Sequence, residues 1–198
     1  MNDQTFNDLI FHGREEKNLE YKSDIKWDTA EIKAKLTKTI LSMCNIKDGG
    51  TIVIGVTEKD EVFKPTGLSK ENFNSFKQDD ISAFVNEYAD PYVEIFVKRI
   101  EIDSMKFVVI QIGEFSELPV ICKKDGAEGL FRGNIYTRPK RKNESVKVPS
   151  QVEMREIIEM AVEKSQIKLL RRIKSSGYDI VSVDEKNKEL FDEQLGGL

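Results

Sequence analysis

The sequence predicts an α/β (α+β) domain, a mixed and mostly antiparallel sheet flanked by helices, and three observations carry that prediction. Ile32, Leu36, Ile40 and Cys44 recur at every fourth position, with Met43 widening the stripe, which is the period of an amphipathic helix lying across a sheet. After the turn Asp48-Gly49-Gly50, the segment Thr51-Ile52-Val53-Ile54-Gly55-Val56 is almost continuously apolar, the pattern of a central strand. Two longer strand-like segments, 93–102 and 106–112, flank Asp103-Ser104, a two-residue hairpin connection. With 198 residues the chain can bury a real core, and this length favours one domain with extensions over two complete ones.

The elements follow in order. Phe6, Leu9 and Ile10 stand at helical spacing ahead of Gly13, predicting a short leading helix within residues 1–13. Leu19-Glu20-Tyr21-Lys22 alternates, so Leu19 and Tyr21 share one face of a strand while Glu20 and Lys22 share the other. Asp28 or Thr29 caps the long helix, and Trp27 is a packing anchor near its start. Gly55 within the apolar run signals a bulge or a close backbone approach. Ile81, Phe84, Val85 and Tyr88 mark a further helix ended by Asp90-Pro91. After the 93–112 hairpin, segments 119–123 and 130–136 read as shorter strands. From Pro149 the pattern is helical again and continues toward Ile173. Residues 14–164 therefore form the main domain and 165–198 a helical extension and tail. Lys168, Arg171, Arg172 and Lys174 lie on an exposed face of that helix, and the apolar pair Ile180-Val181 sits in a loosely docked appendage.

Composition narrows the function. The net charge of −4 argues against a generally basic nucleic-acid coat, although a local patch can supply the attraction. Charged residues at 33% beside hydrophobic ones at 39% describe a globular protein with a heavily charged surface. Cys44 and Cys122 each lie within apolar segments, and the first residues lack the basic and apolar regions of a secretory signal, so a cytoplasmic location is expected. No apolar run approaches the roughly 18 residues of a membrane span. His12 is the sole histidine, which leaves a Cys/His zinc site short of ligands and a Cys–His nucleophilic pair with little to draw on.

Four pieces in order carry a resemblance: Glu15 to Lys22 with the triplet Glu20-Tyr21-Lys22, Asn45 to Gly50, Thr51 to Gly55-Val56, and Phe131-Arg132-Gly133-Asn134. Together they resemble the Schlafen AlbA_2 family, over most of the chain. Members include RNA-cleaving enzymes with a trio of carboxylates, two glutamates separated by four residues and a third acid shortly after Gly-Val. The resemblance implies Glu15, Glu20 and Glu58 as catalytic residues and as ligands of Mg²⁺ or Mn²⁺. Glu58 departs from the family pattern, because Thr57-Glu58 stands where aspartates are favoured, and its longer arm alters the geometry. The larger family cores clamp RNA between two lobes, so the resemblance implies a homodimer, the arrangement by which a single-lobe chain could rebuild the clamp.

Such ions would stabilise the charge of phosphodiester hydrolysis. Lys22, on the same strand face as Glu20, could bind phosphate or steady the carboxylates. Equally, Glu15, Glu16 and Glu20 could be solvated surface charges. Arg138-Pro139-Lys140-Arg141-Lys142, with Lys147 beyond, is the densest basic run. It could neutralise several phosphates while Arg132 and Tyr136 stack on bases or grip the backbone; alternatively it is a solvated loop. Asp48-Gly49-Gly50 lacks the spacing of a phosphate-binding loop and follows a helix, so ATP binding is unsupported. Three readings stay open: a metal-dependent endoribonuclease acting on structured RNA such as tRNA, with RNA favoured over DNA; a non-catalytic nucleic-acid-binding regulatory module; and a protein-interaction domain.

Overall fold

The computed structural model describes the backbone of residues 3–139 and 143–176, and the side chains of those residues from Phe6 onward. The elements run α1 (Asp3–Ile10), β1 (Leu19–Lys22), α2 (Ala30–Cys44), β2 (Gly50–Ile54), β3 (Val56–Lys59), β4 (Val62–Pro65), α3 (Lys70–Ser75), α4 (Gln78–Asn86), β5 (Ala89–Asp90), β6 (Ile95–Ile102), β7 (Met105–Ile112), β8 (Ile121–Cys122), β9 (Tyr136–Thr137), β10 (Val146–Lys147) and α5 (Gln151–Ser175). Two compact units divide the chain, Met1–Ala161 and Val162–Leu198. The sheet and the core described next belong to the first.

The main sheet has the order β1-β2-β7-β6. β1 runs parallel to β2, joined by α2, and the other two pairings are antiparallel, giving the mixed, mostly antiparallel sheet that the apolar patterns predict. Thr29 caps α2 by accepting from Ile32 N. Asp103 and Ser104 both adopt positive φ and close the β6–β7 hairpin at Ile102 and Met105, as a two-residue turn with the twist of its strands requires.

Strand alternation divides the core into two layers. On one face Ile52, Ile54, Val108, Ile110 and Ile112 pack with Leu36, Ile40 and Met43 of α2, Ile81 and Val85 of α4, and Ile157. On the other, Leu19, Tyr21, Val53, Phe107 and Val109 pack with Phe6 and Ile10 of α1 and with Val56. Phe63 of β4 closes this second layer against Tyr21, ring centroids 5.2 Å apart. At the free edge of the sheet, the Gln78 side chain donates to Ile95 O (2.8 Å) and accepts from Val97 N (2.7 Å). It occupies backbone groups of β6 that a further strand would use.

Three sequence expectations are corrected. The apolar run after Gly50 is two strands, because Gly55 at φ 110° breaks it. A Cβ there would meet the Phe107 ring at 2.8 Å. Val56 then begins a separate β3–β4 hairpin around Asp60-Glu61, both at positive φ. Segment 130–136 is chiefly a turn, with positive φ at Gly129 and Gly133, and only Tyr136 enters a strand. Segment 119–123 is a strand only over Ile121–Cys122.

In the second unit, α5 continues with Val162, Ile167, Leu169 and Leu170 exposed. Arg172 and Lys174 lie in its last turn, where cations favour the helix dipole. No helix among the described residues is long and apolar enough to cross a membrane. The tail beyond Gly177, with Ile180-Val181, lies outside the described residues.

Candidate functional site

β1 turns Leu19 and Tyr21 into the second core layer, so Glu20 and Lys22 face the α2 side, in register with Ile52 and Ile54. Glu20 is only 8% exposed, and a carboxylate that far from water needs compensation. It has two cations. Lys22 Nζ donates to Oε1, and Arg138 Nη1 donates to Oε2 at 2.7 Å. Arg138 is 1% exposed and enters directly after β9. Its Nη2 donates to the carbonyls of Asn143 (3.0 Å) and Glu16 (3.4 Å), while Nε has no hydrogen-bond partner among the described residues. Asn143 Nδ2 in turn donates to Glu15 O at 3.1 Å.

Glu15 joins the group through its own side chain, which accepts from Tyr21 N at 2.9 Å. Burial raises its carboxyl above the usual range, and the negative charge of Glu20 adds to this. The Tyr21 N–H and the charges of Lys22 and Arg138 oppose it. Two carboxylates and two cations thus share one half-buried cluster. Electrostatically it is self-neutralised.

Glu58 is not brought into that cluster. It is exposed on β3, paired with Phe63 in the peripheral hairpin, because the break at Gly55 carries the chain out of the main sheet. Among the described residues no group of three or more His, Cys, Asp or Glu could hold a metal ion. With both oxygens of Glu20 engaged by cations, the carboxylates as arranged do not fit a divalent ion.

The expected nucleic-acid residues divide. Tyr136 is corrected as a stacking surface: it is 1% exposed, with its hydroxyl donating to Gly129 O (2.6 Å) and accepting from Phe131 N (2.7 Å). Arg138 is likewise corrected as a phosphate contact, since it is spent on Glu20. Both are buried because they tie the 129–138 segment to the core. Arg132 and Lys147 are exposed, and Arg132 N donates to Asp125 Oδ1 at 2.9 Å. Lys140, Arg141 and Lys142 lie outside the described residues.

Sequence reasoning named Asn45 only as the start of the 45–50 motif and gave it no role. Its Nδ2 reaches Val120 O (2.8 Å), Tyr136 O (3.0 Å) and Leu41 O (3.2 Å), and its Oδ1 accepts from Val120 N (2.8 Å). It therefore locks the end of α2 to the strands that deliver Arg138. The available signal was a lone amide between Cys44 and Ile46 in an apolar stretch. Gly49, at φ 68° with Ile112 O only 2.1 Å from any added Cβ, makes the following turn a packing device.

A family model described as Schlafen, AlbA_2 matches residues 15–147. Among solved structures, the chain is similar to the DIP2311 protein from Corynebacterium diphtheriae, with 14% identity and a TM-score of 0.47 over 71% of this chain and 23% of that one. The chain thus spans less than a quarter of that protein's length. It is also similar to the N-terminal domain of an ATP-dependent DNA helicase RecG-related protein from Nitrosomonas europaea, with 18% identity and a TM-score of 0.44 over 67% and 88% of the two chains. A search of the curated proteins found no match.

Proposed function

The chain belongs to the Schlafen AlbA_2 family, and from that premise we propose that it is a nucleic-acid-binding domain, with RNA favoured over DNA, working as a non-catalytic module. One observation carries this reading. Arg138 and Asn143 bracket Lys140-Arg141-Lys142 in sequence, and both are tied to the acidic segment 15–20. The described residues on either side of the densest basic run in the sequence are thus held against the acidic segment, Arg132 and Lys147 are exposed, and Lys22 and Arg138 offset the charge of Glu20 that would otherwise repel phosphate.

The test is titration of labelled RNA and DNA of one sequence across a salt series. The expected result is binding whose logarithm falls linearly with log salt, by about 0.7 for each phosphate contacted on a single strand. Tighter RNA than DNA binding is expected as well. No binding at low salt, or binding insensitive to salt, would overturn the reading.

A second reading is an endoribonuclease, motivated by Glu15 lying near Glu20 beside Lys22; metal dependence would require Glu20 to release its internal cations first. Incubation with tRNA and Mg²⁺ or Mn²⁺, beside Glu20→Ala and Glu15→Gln, decides it: cleavage that is absent, or equal in the variants, removes it. We extend the binding reading to a homodimer that restores a two-lobed clamp; a monomeric mass in solution would remove that extension.

A further inference from the structure

Phe131 is anomalous. Its neighbours Leu130 and Tyr136 are only 0% and 1% exposed, yet Phe131 is 57% exposed, and the turn that carries it is tied down by several hydrogen bonds. Phe131 N donates to Tyr136 Oη, Arg132 N to Asp125 Oδ1, Gly133 N to Cys122 O at 2.7 Å, Asn134 N to Phe131 O at 3.2 Å and Gly126 N to Leu130 O at 2.9 Å. A large ring held out in water on a fixed turn contributes little to the core. It is preorganised for a flat apolar partner, since little ordering entropy is left to lose on binding.

The surroundings of the ring are cationic. A Cβ built on Gly129 would lie 3.5 Å from Lys38 Nζ and 3.9 Å from Phe131 Cε2. The ammonium and the ring edge therefore border the same surface, which the absence of a side chain at Gly129 keeps open. Lys38 is itself held over the Tyr136 ring, 5.6 Å from its centroid. Arg132 is exposed beside Phe131, and Lys35 stands one helical turn before Lys38. Of the acids nearby, Glu128 pairs with Lys35 at 3.7 Å and Asp125 is engaged by Arg132 N.

We infer that the Phe131 turn and Lys38 of α2 form a stacking subsite for an unpaired base of single-stranded or looped RNA, the ring taking the base face and the ammonium the adjacent phosphate. This rests on the nucleic-acid-binding reading and adds a subsite to it. Aromatic stacking accepts any base, with purines offering more surface, whereas a base within a duplex is not accessible to the ring.

The test uses the full chain and fluorescein-labelled oligoadenylate, oligouridylate and a blunt duplex of equal length, with anisotropy as the readout. Phe131→Ala should weaken oligoadenylate binding about tenfold, with a smaller loss on oligouridylate, an unchanged salt slope and unchanged duplex binding. Phe131→Trp should restore or exceed the wild-type affinity. Lys38→Gln should instead reduce the salt slope by about 0.7. Because Phe131 is exposed, circular dichroism of the variants should match wild type. Salt-dependent binding by wild type that Phe131→Ala leaves intact, or weakens equally on duplex and single strand, overturns the subsite while sparing the binding reading. No binding by wild type overturns both.

Discussion

Replacing Arg138 by methionine isolates the contact that joins the basic segment to the acidic strand. The substitution keeps much of the side-chain length but leaves Glu20, 8% exposed, with one cation. Removing one partner of a buried ion pair costs about 3–5 kcal/mol. Lys22 remains, though its side chain is 34% exposed, so part of the Glu20 charge stays compensated and the expected loss is near the lower end, about 3 kcal/mol. The carbonyls of Asn143 and Glu16 also lose their donor. For a domain of this size each kcal/mol shifts Tm by about 2–4 °C, so the midpoint should fall by about 6–12 °C. The assay is urea and thermal unfolding followed by circular dichroism, run as a cycle with Glu20→Gln. In the double variant neither partner is a charge left buried alone, so its cost should fall short of the summed single costs by about 2 kcal/mol. Additive effects, or a loss below about 1 kcal/mol for Arg138→Met, would show that the pair does not hold this part of the fold.

Other outcomes are expected from the same geometry. Asn45→Ala strands Val120 N–H and removes three donated bonds, and should cost about 3 kcal/mol in chemical denaturation; a loss under about 1 kcal/mol would mean water replaces the amide. Glu15 has a raised folded-state carboxyl, chiefly through burial. Its stability contribution is therefore present below the ordinary value of 4.5 and is lost as pH rises through the folded value. Glu15→Gln should accordingly gain on wild type as pH rises from 4.5, measured by unfolding at stepped pH, and a gain confined to acid would reverse the argument. Burial pushes the Cys44 thiol up to about 12, so a thiol reagent at mildly alkaline pH should label Cys44 only after denaturation; native labelling, read by mass spectrometry of its peptide, would contradict that packing.

Periodic elements were legible because their patterns repeat. The four-residue spacing in α2, the alternation in β1 and the Asp103-Ser104 turn each express a local rule that the core reinforces. What escaped was non-local. Gly55 was recognisable as an interruption, but not as the point where the chain leaves one sheet for another, which depends on Phe107 lying opposite it. The pairing of Glu20 with Arg138 spans 118 positions, and no periodicity signals such a contact. Arg138 therefore read as part of a basic run facing phosphate or solvent when it is one of the most buried side chains among the described residues. Tyr136 misled for a related reason. Its aromatic character suited base stacking, yet the partner that claims its hydroxyl is the backbone of a turn whose shape comes from Gly129 and Gly133.

The Gln78 side chain at the edge of the sheet has a consequence for how this protein tolerates crowding. An open eight-residue strand is a template onto which a foreign chain can zip, the first step toward aggregates. Here one amide seals the start of β6, and Lys98, Arg99 and Glu101 are exposed farther along it. Strand addition at that end of β6 is thereby blocked at the cost of a single side chain, and the charged side chains beyond it discourage pairing along the rest of the strand.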